Sequence, residues 1–298
     1  MLDKGILTIA IGKRYYNQAI LLAKSAILNS PYTLRAIVTD KPEYFNGYFD
    51  YCIKYNEPFA NAFKIKLQLM NYSPFEKTLF IDSDSLIINS VENVFTFLNN
   101  DRFFVSPGLK VMNGIWYNIN IFELINKIGL SYLYKLNSGF FAFIKNKNSE
   151  KLFEKANFFY NILPDLGFDY FRENIYPDEP ALSLSLAFYN IEPFNDFNRF
   201  SRTLINKNGK VIIDIPNRRC FFKKGDEFCT PNVIHFAGRY GRRVYLREKI
   251  KLNIYFYFGI NNIFSKFFSQ IIYFIYTTIL LFKNFIFKCF RCFNRFKL

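Results

Sequence analysis

The residues of this chain best suited to chemistry are two aspartates and a histidine that lie far apart in the sequence. Asp82 and Asp84 follow the apolar run 79–81, and His235, the only histidine, lies about 150 residues later. An apolar strand that ends in Asp-x-Asp places both carboxylates at its carboxyl end, where open α/β sheets bind their ligands. Two hard oxygen ligands and one imidazole suit Mn²⁺ or Mg²⁺ better than a closed zinc site. The three residues therefore predict a divalent-cation site that can hold a diphosphate.

Alternating strands and helices must position these side chains. The hydrophobic periods predict strands at 6–11, 34–38, 52–54 and 78–81, with helices at 16–28 and 60–70. Further strands are predicted at 103–106, 138–144 and 211–215, with a helix near 149–160. The early β-α-β order predicts an α/β fold with a mainly parallel sheet and a nucleotide-type site at its carboxyl edge.

Positive charge is concentrated at the C-terminus. Residues 251–298 supply +7 of the formal +15, and residues 237–250 supply a further +4. Such a patch could meet nucleic acid, phosphates or an anionic membrane. Because the last bases alternate with long runs of Phe, Ile, Tyr and Leu, lipid is the better match and nucleic acid is not an expected partner. The sequence thus predicts one domain over 1–250 and an apolar, basic helical tail over 251–298.

Other short segments accompany the Asp-x-Asp motif in a set order along the chain. They are Tyr15 after the first strand, Lys66 sixteen residues before Asp82, Asn137-Ser138-Gly139, Asp178-Glu179 before an apolar run, and His235-Phe236-Ala237-Gly238. This series, which extends over roughly residues 5–245, resembles the glycogenin-like retaining glycosyltransferases of the GT-A fold. The order of the segments is more specific than any one of them.

The resemblance implies a single GT-A, Rossmann-like domain with a Mn²⁺ (or Mg²⁺) cofactor and a UDP-sugar donor. It makes Asp82, Asp84 and His235 the metal ligands. It assigns Asp178 to the hydroxyls of the donor sugar. The residues that it places around the donor are Tyr15 (against the base), Lys66, Ser83, Asn137, Gly139, Gly238 and Arg239.

The sequence departs from the family pattern at two places. The family usually has Lys-Pro-Trp after its His-x-x-Gly, whereas this chain has a basic run at 239–243, and Arg239, Arg242 or Arg243 could contact the diphosphate instead. Glu179 also replaces the usual Gln. A carboxylate beside the anomeric carbon could act as nucleophile or oxocarbenium stabiliser, so Glu179 joins Asp178 as a catalytic candidate in a retaining reaction.

These residues also have structural interpretations. Asp82 and Asp84 could end a strand in an ordinary turn, and His235 could be a core histidine. Asp178 and Glu179 suit a helix N-terminus, where acids are favoured. The function predicted is metal-dependent transfer of a hexose from a UDP-sugar to a glycan or lipid-linked acceptor. The alternatives are a phosphatase of the haloacid-dehalogenase type and a non-catalytic, membrane-attached protein that binds sugar nucleotides.

The tail predicts contact with a membrane surface. Its longest uncharged run, 267–282, has 16 residues, which as a helix span roughly 24 Å and fall short of the ~30 Å hydrocarbon core. Interfacial helices on an anionic surface fit better than a short or tilted span or an oligomer contact. Five cysteines, an odd number, predict a reducing compartment. We therefore expect a cytoplasmic protein, peripheral on the inner face of a membrane.

Overall fold

A computed structural model describes residues 2–56, 61–170, 175–237 and 241–258, with isolated positions at 267, 271–272, 274–275 and 278–279. In chain order the strands are β1 Leu2–Ala10, β2 Leu34–Thr39, β3 Tyr51–Lys54, β4 Phe75–Ile81, β5 Ser85–Ile87, β6 Phe104–Val105, β7 Gly108–Val111, β8 Ile115–Trp116, β9 Ile119–Asn120, β10 Leu133–Leu136, β11 Phe140–Ile144, β12 Ser201–Thr203, β13 Lys207–Asp214, β14 Arg219–Lys224, β15 Glu227–Cys229 and β16 Val233–His235. The helices are α1 Lys13–Asn29, α2 Ala62–Lys66, α3 Leu69–Tyr72, α4 Ile121–Ile128, α5 Lys147–Ile162, α6 Asp178–Phe188 and α7 Arg242–Phe258.

The central sheet has the strand order β3-β2-β1-β4-β11-β6. Strands β3, β2, β1 and β4 run parallel to one another, whereas β11 and β6 are antiparallel to their neighbours. Both faces are covered: Leu7 packs into one apolar cluster with Phe80 and Phe141, while Ile6 packs into another with Leu79. Burial on both faces explains the continuous apolar runs of these strands. The predicted α/β class with a mainly parallel sheet is confirmed.

The crossover from β1 to β2 begins with a sharp turn at Gly12. This glycine has φ 90°, a left-handed conformation that disfavours residues with a Cβ. Its N–H donates to Asp40 Oδ1 at 3.0 Å, just beyond the end of β2. Helix α1 then buries Ala19, Leu22 and Ala26. The parallel β1-α1-β2 unit is thereby anchored at the carboxyl edge of the sheet.

Smaller sheets lie beside the central one. Strands β12, β16 and β5 form one sheet, in which β16 pairs in parallel with β12 and antiparallel with β5. Strands β13, β14 and β15 form an antiparallel sheet, and β7 pairs with β10. The β12-β16-β5 sheet matters most for function because it carries the histidine.

The predicted helix at 60–70 is wrong in extent. The structure has two short helices instead, α2 and α3, and residue 60 lies outside the described residues. Asn61 starts α2 because its side-chain oxygen accepts from the N–H groups of Phe63 and Lys64. Leu67, buried with 1% exposure, lies in the break between the two helices. The buried Leu67 side chain therefore belongs to the break between α2 and α3, and not to the apolar face of one continuous helix.

Two strand predictions also need correction. The strand predicted at 138–144 begins at Phe140, so Asn137, Ser138 and Gly139 form the turn between β10 and β11. The strand predicted at 211–215 is the last half of the longer β13 and ends at Asp214. Asn137 therefore lies outside the strands, and its side chain forms a hydrogen bond with His235.

Helix α7 runs through the expected domain boundary at residue 250. Within it, Leu252, Ile254 and Tyr255 are buried, and Lys24 of α1 donates to Asn253 Oδ1 at 2.7 Å. Residues 251–258 therefore pack on the domain. In the part of the chain that the structure describes, no helix is both long and apolar enough to cross a membrane. Most of 259–298 lies outside the described residues, so the domain division and the lipid contact stay predictions.

Candidate metal centre

Asp82 and Asp84 occupy the turn between β4 and β5. Asp82 N–H donates to Gly139 O at 2.9 Å, which extends the pairing of β4 with the β11 side of the sheet. Ser85 N–H donates to Asp82 O at 3.0 Å and closes the turn. Both carboxylates therefore lie at the carboxyl end of a buried strand, as the sequence predicts.

His235 reaches the same place through strand pairing. It is the last residue of β16 and lies opposite Ser85 in the antiparallel pair with β5. Phe236 N–H donates to Asp84 O at 3.1 Å and continues this pairing. As a result His235 Nε2 lies 3.1 Å from Asp84 Oδ1 and 3.6 Å from Asp82 Oδ2. One potential ligand atom from each of the three residues lies within 4.8 Å of the others.

The imidazole is oriented by Asn137. His235 Nδ1 lies 2.9 Å from Asn137 Oδ1, and Gly139 N–H donates to the same oxygen at 2.9 Å. Because a backbone N–H donates to it, this atom is the amide oxygen, and it accepts a hydrogen bond from the Nδ1–H group of His235. The Nε2 lone pair then faces the carboxylates, which is the tautomer that a metal ligand needs.

Gly139 leaves room for the ring. A Cβ at this position would lie 2.6 Å from the His235 ring atoms Cε1 and Nδ1, far inside van der Waals contact. Any side chain here would displace the imidazole or the Asn137 amide. The Asn-Ser-Gly segment therefore acts through the position of His235. The role in the pocket for the donor sugar that the resemblance implies for this segment stays a prediction.

Lys66 places a cation beside the candidate ligands. Its Nζ lies 2.8 Å from Asp82 Oδ1 and 3.5 Å from Asp178 Oδ2, and the residue is only 6% exposed. Burial alone would lower the pKa of Lys66, but the charges of Asp178 and Asp82 outweigh it and raise the pKa above its usual value. Lys66 is therefore a fixed positive charge at the site.

Asp178 and Glu179 open α6 on the other side of Lys66. Asp178 is 2% exposed, and burial raises its pKa despite the opposing charge of Lys66. Burial and the charge of Asp178 raise the pKa of Glu179 to about 7. Ser138 N–H donates to Glu179 Oε2 at 3.2 Å, which ties α6 to the turn that holds His235. A carboxyl group that titrates near neutral pH beside a candidate metal centre can serve catalysis in either protonation state.

Tyr117 is a site residue that the sequence does not predict. Its hydroxyl lies 3.5 Å from Glu179 Oε1. Tyr117 and Asn118 link β8 to β9 with φ values of 50° and 62°, as in a two-residue hairpin turn with both central residues left-handed. Such turns are usually recognised from Asn-Gly or Asp-Gly, and Tyr-Asn gives a much weaker signal.

Of the other predicted site residues, one lies within this cluster, one lies apart from it, and two lie outside the described residues. Ser83 is buried between the two aspartates. Tyr15 is half-buried in the first turn of α1, with the Arg14 guanidinium 5.6 Å from its ring centroid, and no described contact joins it to the cluster. Gly238 and Arg239 lie outside the described residues.

The basic run after the histidine is described only at its end. Arg242 and Arg243 are exposed and begin α7. No described contact places either of them against the metal ligands. The contact of Arg239, Arg242 or Arg243 with the diphosphate therefore stays a prediction.

The residues present fit a divalent cation. Two carboxylates and an imidazole form the donor set that Mn²⁺ accepts readily, and Mg²⁺ also binds to such carboxylates. Burial opposes ionisation of Asp84, but the charge and hydrogen bond of His235 in its protonated form outweigh burial and lower the pKa of that carboxyl. Three protein ligands leave coordination positions for oxygens of a substrate, such as those of a diphosphate. The cluster can therefore hold a metal against an anionic substrate.

Comparisons with known proteins bear on the fold. No protein-family model matches the chain, and no curated protein sequence matches it. Among solved structures, the galactosyltransferase LgtC in complex with donor and acceptor sugar analogs is similar, with a TM-score of 0.54 and 15% identity over 82% of this chain and 95% of LgtC. An active-site mutant of LgtC with glutamate in place of glutamine has a TM-score of 0.52 and 16% identity over 78% of this chain and 87% of that one.

The bifunctional glycosyltransferase WbbM in its apo form is also similar, with a TM-score of 0.53 and 12% identity over 84% of this chain. The matched region covers 49% of WbbM, about half of its length. At these identities the likeness shows the fold, which is the GT-A fold of these glycosyltransferases. The predicted GT-A fold is confirmed, whereas the narrower resemblance to glycogenin stays a prediction.

Proposed function

We propose that this protein is a metal-dependent glycosyltransferase that moves a hexose from a UDP-sugar to a glycan or lipid-linked acceptor, with retention at the anomeric carbon. The main support is the meeting of Asp82, Asp84 and His235 at the carboxyl edge of a GT-A sheet. The donor and acceptor sugar analogs in the LgtC complex support the substrate class. Fold alone does not define function, so the proposal depends on the site.

The site chemistry suits the departure of a diphosphate. Breaking the sugar-diphosphate bond develops negative charge on the leaving group. A bound Mn²⁺ or Mg²⁺ would stabilise that charge as a Lewis acid. Asp82, Asp84 and His235 would hold the cation, and Lys66 would add fixed positive charge from its place beside Asp82. Asp178, held in turn by Lys66, would accept hydrogen bonds from hydroxyls of the donor sugar.

Glu179 is the proposed residue for the retaining step. Retention requires either a covalent glycosyl-enzyme or attack on the face that the diphosphate leaves. Ionised Glu179 could act as nucleophile or stabilise an oxocarbenium ion, with Ser138 N–H and Tyr117 orienting it. We propose that Glu179 corresponds to the active-site glutamine that is changed to glutamate in the LgtC mutant. This chain would then carry the acid naturally.

We also propose that the protein works in the cytoplasm, on the inner face of a membrane. The support is compositional: residues 251–298 carry seven bases and no acid among long apolar runs. Anionic lipid attracts such segments by about 1 kcal/mol per basic residue near the surface. A lipid-linked or envelope glycan acceptor would be within reach of an enzyme at that position.

Donor hydrolysis tests the proposed activity. The purified full chain is incubated with Mn²⁺ and a panel of UDP-, GDP- and dTDP-sugars, and the released nucleotide is measured. We expect release from one or a few UDP-hexoses, with loss of that release in Asp84→Asn. Asp101→Asn, which changes an exposed aspartate in the loop before β6 in the same way, serves as the control. Release that does not depend on Mn²⁺ or on Asp84 would contradict the proposal.

A further inference from the structure

A second feature lies against the metal centre. A cleft of about 750 Å³, here called the lateral cleft, is lined in part by Asn137, Arg202, Thr203 and Lys224. Asn137 binds His235 Nδ1, and Thr203 lies beside His235 in the parallel pair of β12 with β16. The lateral cleft therefore adjoins the Nδ1 side of the imidazole, whereas the candidate metal ligands face Nε2. Its volume suits one or two sugar units.

Most charges in the lateral cleft already have partners. Arg202 lies against both oxygens of Asp196, at 2.6 and 3.1 Å, and its Nε donates to Asn198 Oδ1 at 2.6 Å. Asp196 is buried and also accepts from Phe200 N–H at 2.7 Å. The capacity of that carboxylate is used by Arg202 and the backbone, so it leaves nothing for a second cation.

The other acids at the cleft are also engaged. Lys110 Nζ lies 2.8 Å from Glu192 Oε1, so these two neutralise each other. Glu227 accepts from Asn198 Nδ2 at 2.6 Å. Glu192 and Asp196 are therefore paired with cations, whereas Glu227, which lies opposite Lys224 in the pair of β14 with β15, is turned toward the Asn198 amide.

Lys224 is different. Its Nζ donates to Thr203 Oγ1 at 3.2 Å, but no carboxylate in the described part of the chain lies within 4.0 Å of it. Lys224 is half-buried, and burial and the charge of Arg202 lower its pKa. A cation that is partly desolvated without a counterion is unfavourable, and a charge-assisted hydrogen bond to an anion would relieve the cost.

We propose that the lateral cleft binds a sugar unit of the acceptor next to the one that reacts, and that this unit is acidic, with a carboxylate or phosphate that contacts Lys224. The inference rests on the proposed glycosyltransferase function, because it names the class of the acceptor. The donor diphosphate is assigned to the Nε2 side of His235, so an anion at Lys224 belongs to a different ligand. Lys135, an exposed lysine in the same wall, adds to the positive charge at the mouth.

Binding of small acidic sugars tests this proposal. The full chain, with UDP and Mn²⁺ and without them, is titrated with methyl β-glucuronide, glucose 6-phosphate and neutral methyl β-glucoside. We expect one or both acidic sugars to bind at least about tenfold more tightly than the neutral one, the strength of a hydrogen bond between charged groups. The two acidic sugars distinguish a carboxylate from a phosphate.

Two lysine variants locate the effect. Lys224→Met should remove the preference for acidic sugars, while Lys223→Met should keep it. Lys223 is the adjacent residue of β14, points to the opposite face and pairs with Asp226. Since Lys224 has no buried ion pair to lose, we expect Lys224→Met to fold with an unchanged melting temperature.

Several outcomes would overturn the inference. Equal binding of acidic and neutral sugars would do so, as would a preference for acids that survives in Lys224→Met. A fall in UDP affinity in Lys224→Met would assign this lysine to the donor instead. Failure of the proposed function looks different: the chain would show no Mn²⁺-dependent UDP binding, whatever the result with acidic sugars.

Discussion

The metal centre and the lateral cleft lie on opposite sides of the His235 ring and differ in how their charges are satisfied. On the Nε2 side, Lys66 contacts the carboxylates of both Asp82 and Asp178. On the Nδ1 side, Asn137 fixes the imidazole, and Lys224 donates to the hydroxyl of Thr203 but has no carboxylate within 4.0 Å among the described residues. The candidate metal centre is therefore largely preorganised, whereas in the lateral cleft the proposed acidic acceptor would supply a counterion for Lys224.

Removal of a candidate metal ligand should have the largest effect on activity. We expect Asp84→Ala and His235→Ala each to lower kcat by more than about a hundredfold, because the leaving diphosphate loses its charge partner. Circular dichroism should show an intact fold, and Asp101→Ala, at an exposed aspartate, provides the matched control. Near-normal turnover with Mn²⁺ dependence retained in either variant would remove that residue from the site.

Glu179→Gln should slow the chemical step without weakening UDP or Mn²⁺ binding. We expect a fall in kcat of about a hundredfold, typical of losing a catalytic carboxylate. Since the pKa of Glu179 is raised to about 7 and its charged form is the active one, wild-type kcat/KM should rise with pH through about 7. This rise of kcat/KM with pH should be absent in Glu179→Gln. A large loss of UDP affinity would instead assign Glu179 to the nucleotide or metal shell.

The stereochemistry of the product gives an independent check on the role of Glu179. NMR of the glycoside should show the same anomeric configuration as the donor. An opposite configuration would overturn the retaining mechanism even if the metal centre stands.

Asn137→Leu should have a smaller effect, which we expect first on the affinity for Mn²⁺. Loss of the amide oxygen frees the His235 tautomer and ring, and we expect Mn²⁺ affinity to fall about ten- to a hundredfold. Titration of Mn²⁺ followed by electron paramagnetic resonance measures this directly. Ser138→Ala, which changes the next residue of the same turn, is the control. An unchanged Mn²⁺ affinity in Asn137→Leu would show that the imidazole is oriented without Asn137.

The C-terminal segment should matter least for chemistry. Truncation after Phe258 keeps all of α7, whose residues Leu252 and Tyr255 pack on the domain. We expect the shortened chain to keep its donor hydrolysis but lose sedimentation with vesicles of anionic lipid. Equal sedimentation of the shortened and full chains would place the membrane contact elsewhere.

The sequence predicts local order better than tertiary partners. The strand-helix alternation and the Asp82-x-Asp84 turn follow from periodicity, because each depends on neighbouring residues. The hydrogen bond between Asn137 and His235 depends on the pairing of β16 with β5. The register of that pairing cannot be predicted from neighbouring residues in the sequence. The sequence also does not predict Lys224 as a binding residue. That Lys224 has no carboxylate partner among the described residues follows from the tertiary structure, in which Asp196 pairs with Arg202.

The central claim is that Asp82, Asp84 and His235 hold a divalent cation against the diphosphate of a UDP-sugar. Isothermal titration of the full chain with UDP, with and without Mn²⁺, tests it most directly. We predict binding in the presence of Mn²⁺, and weak or undetectable binding without the cation or in Asp84→Asn. UDP binding of equal strength with and without Mn²⁺, or no binding under either condition, would contradict it.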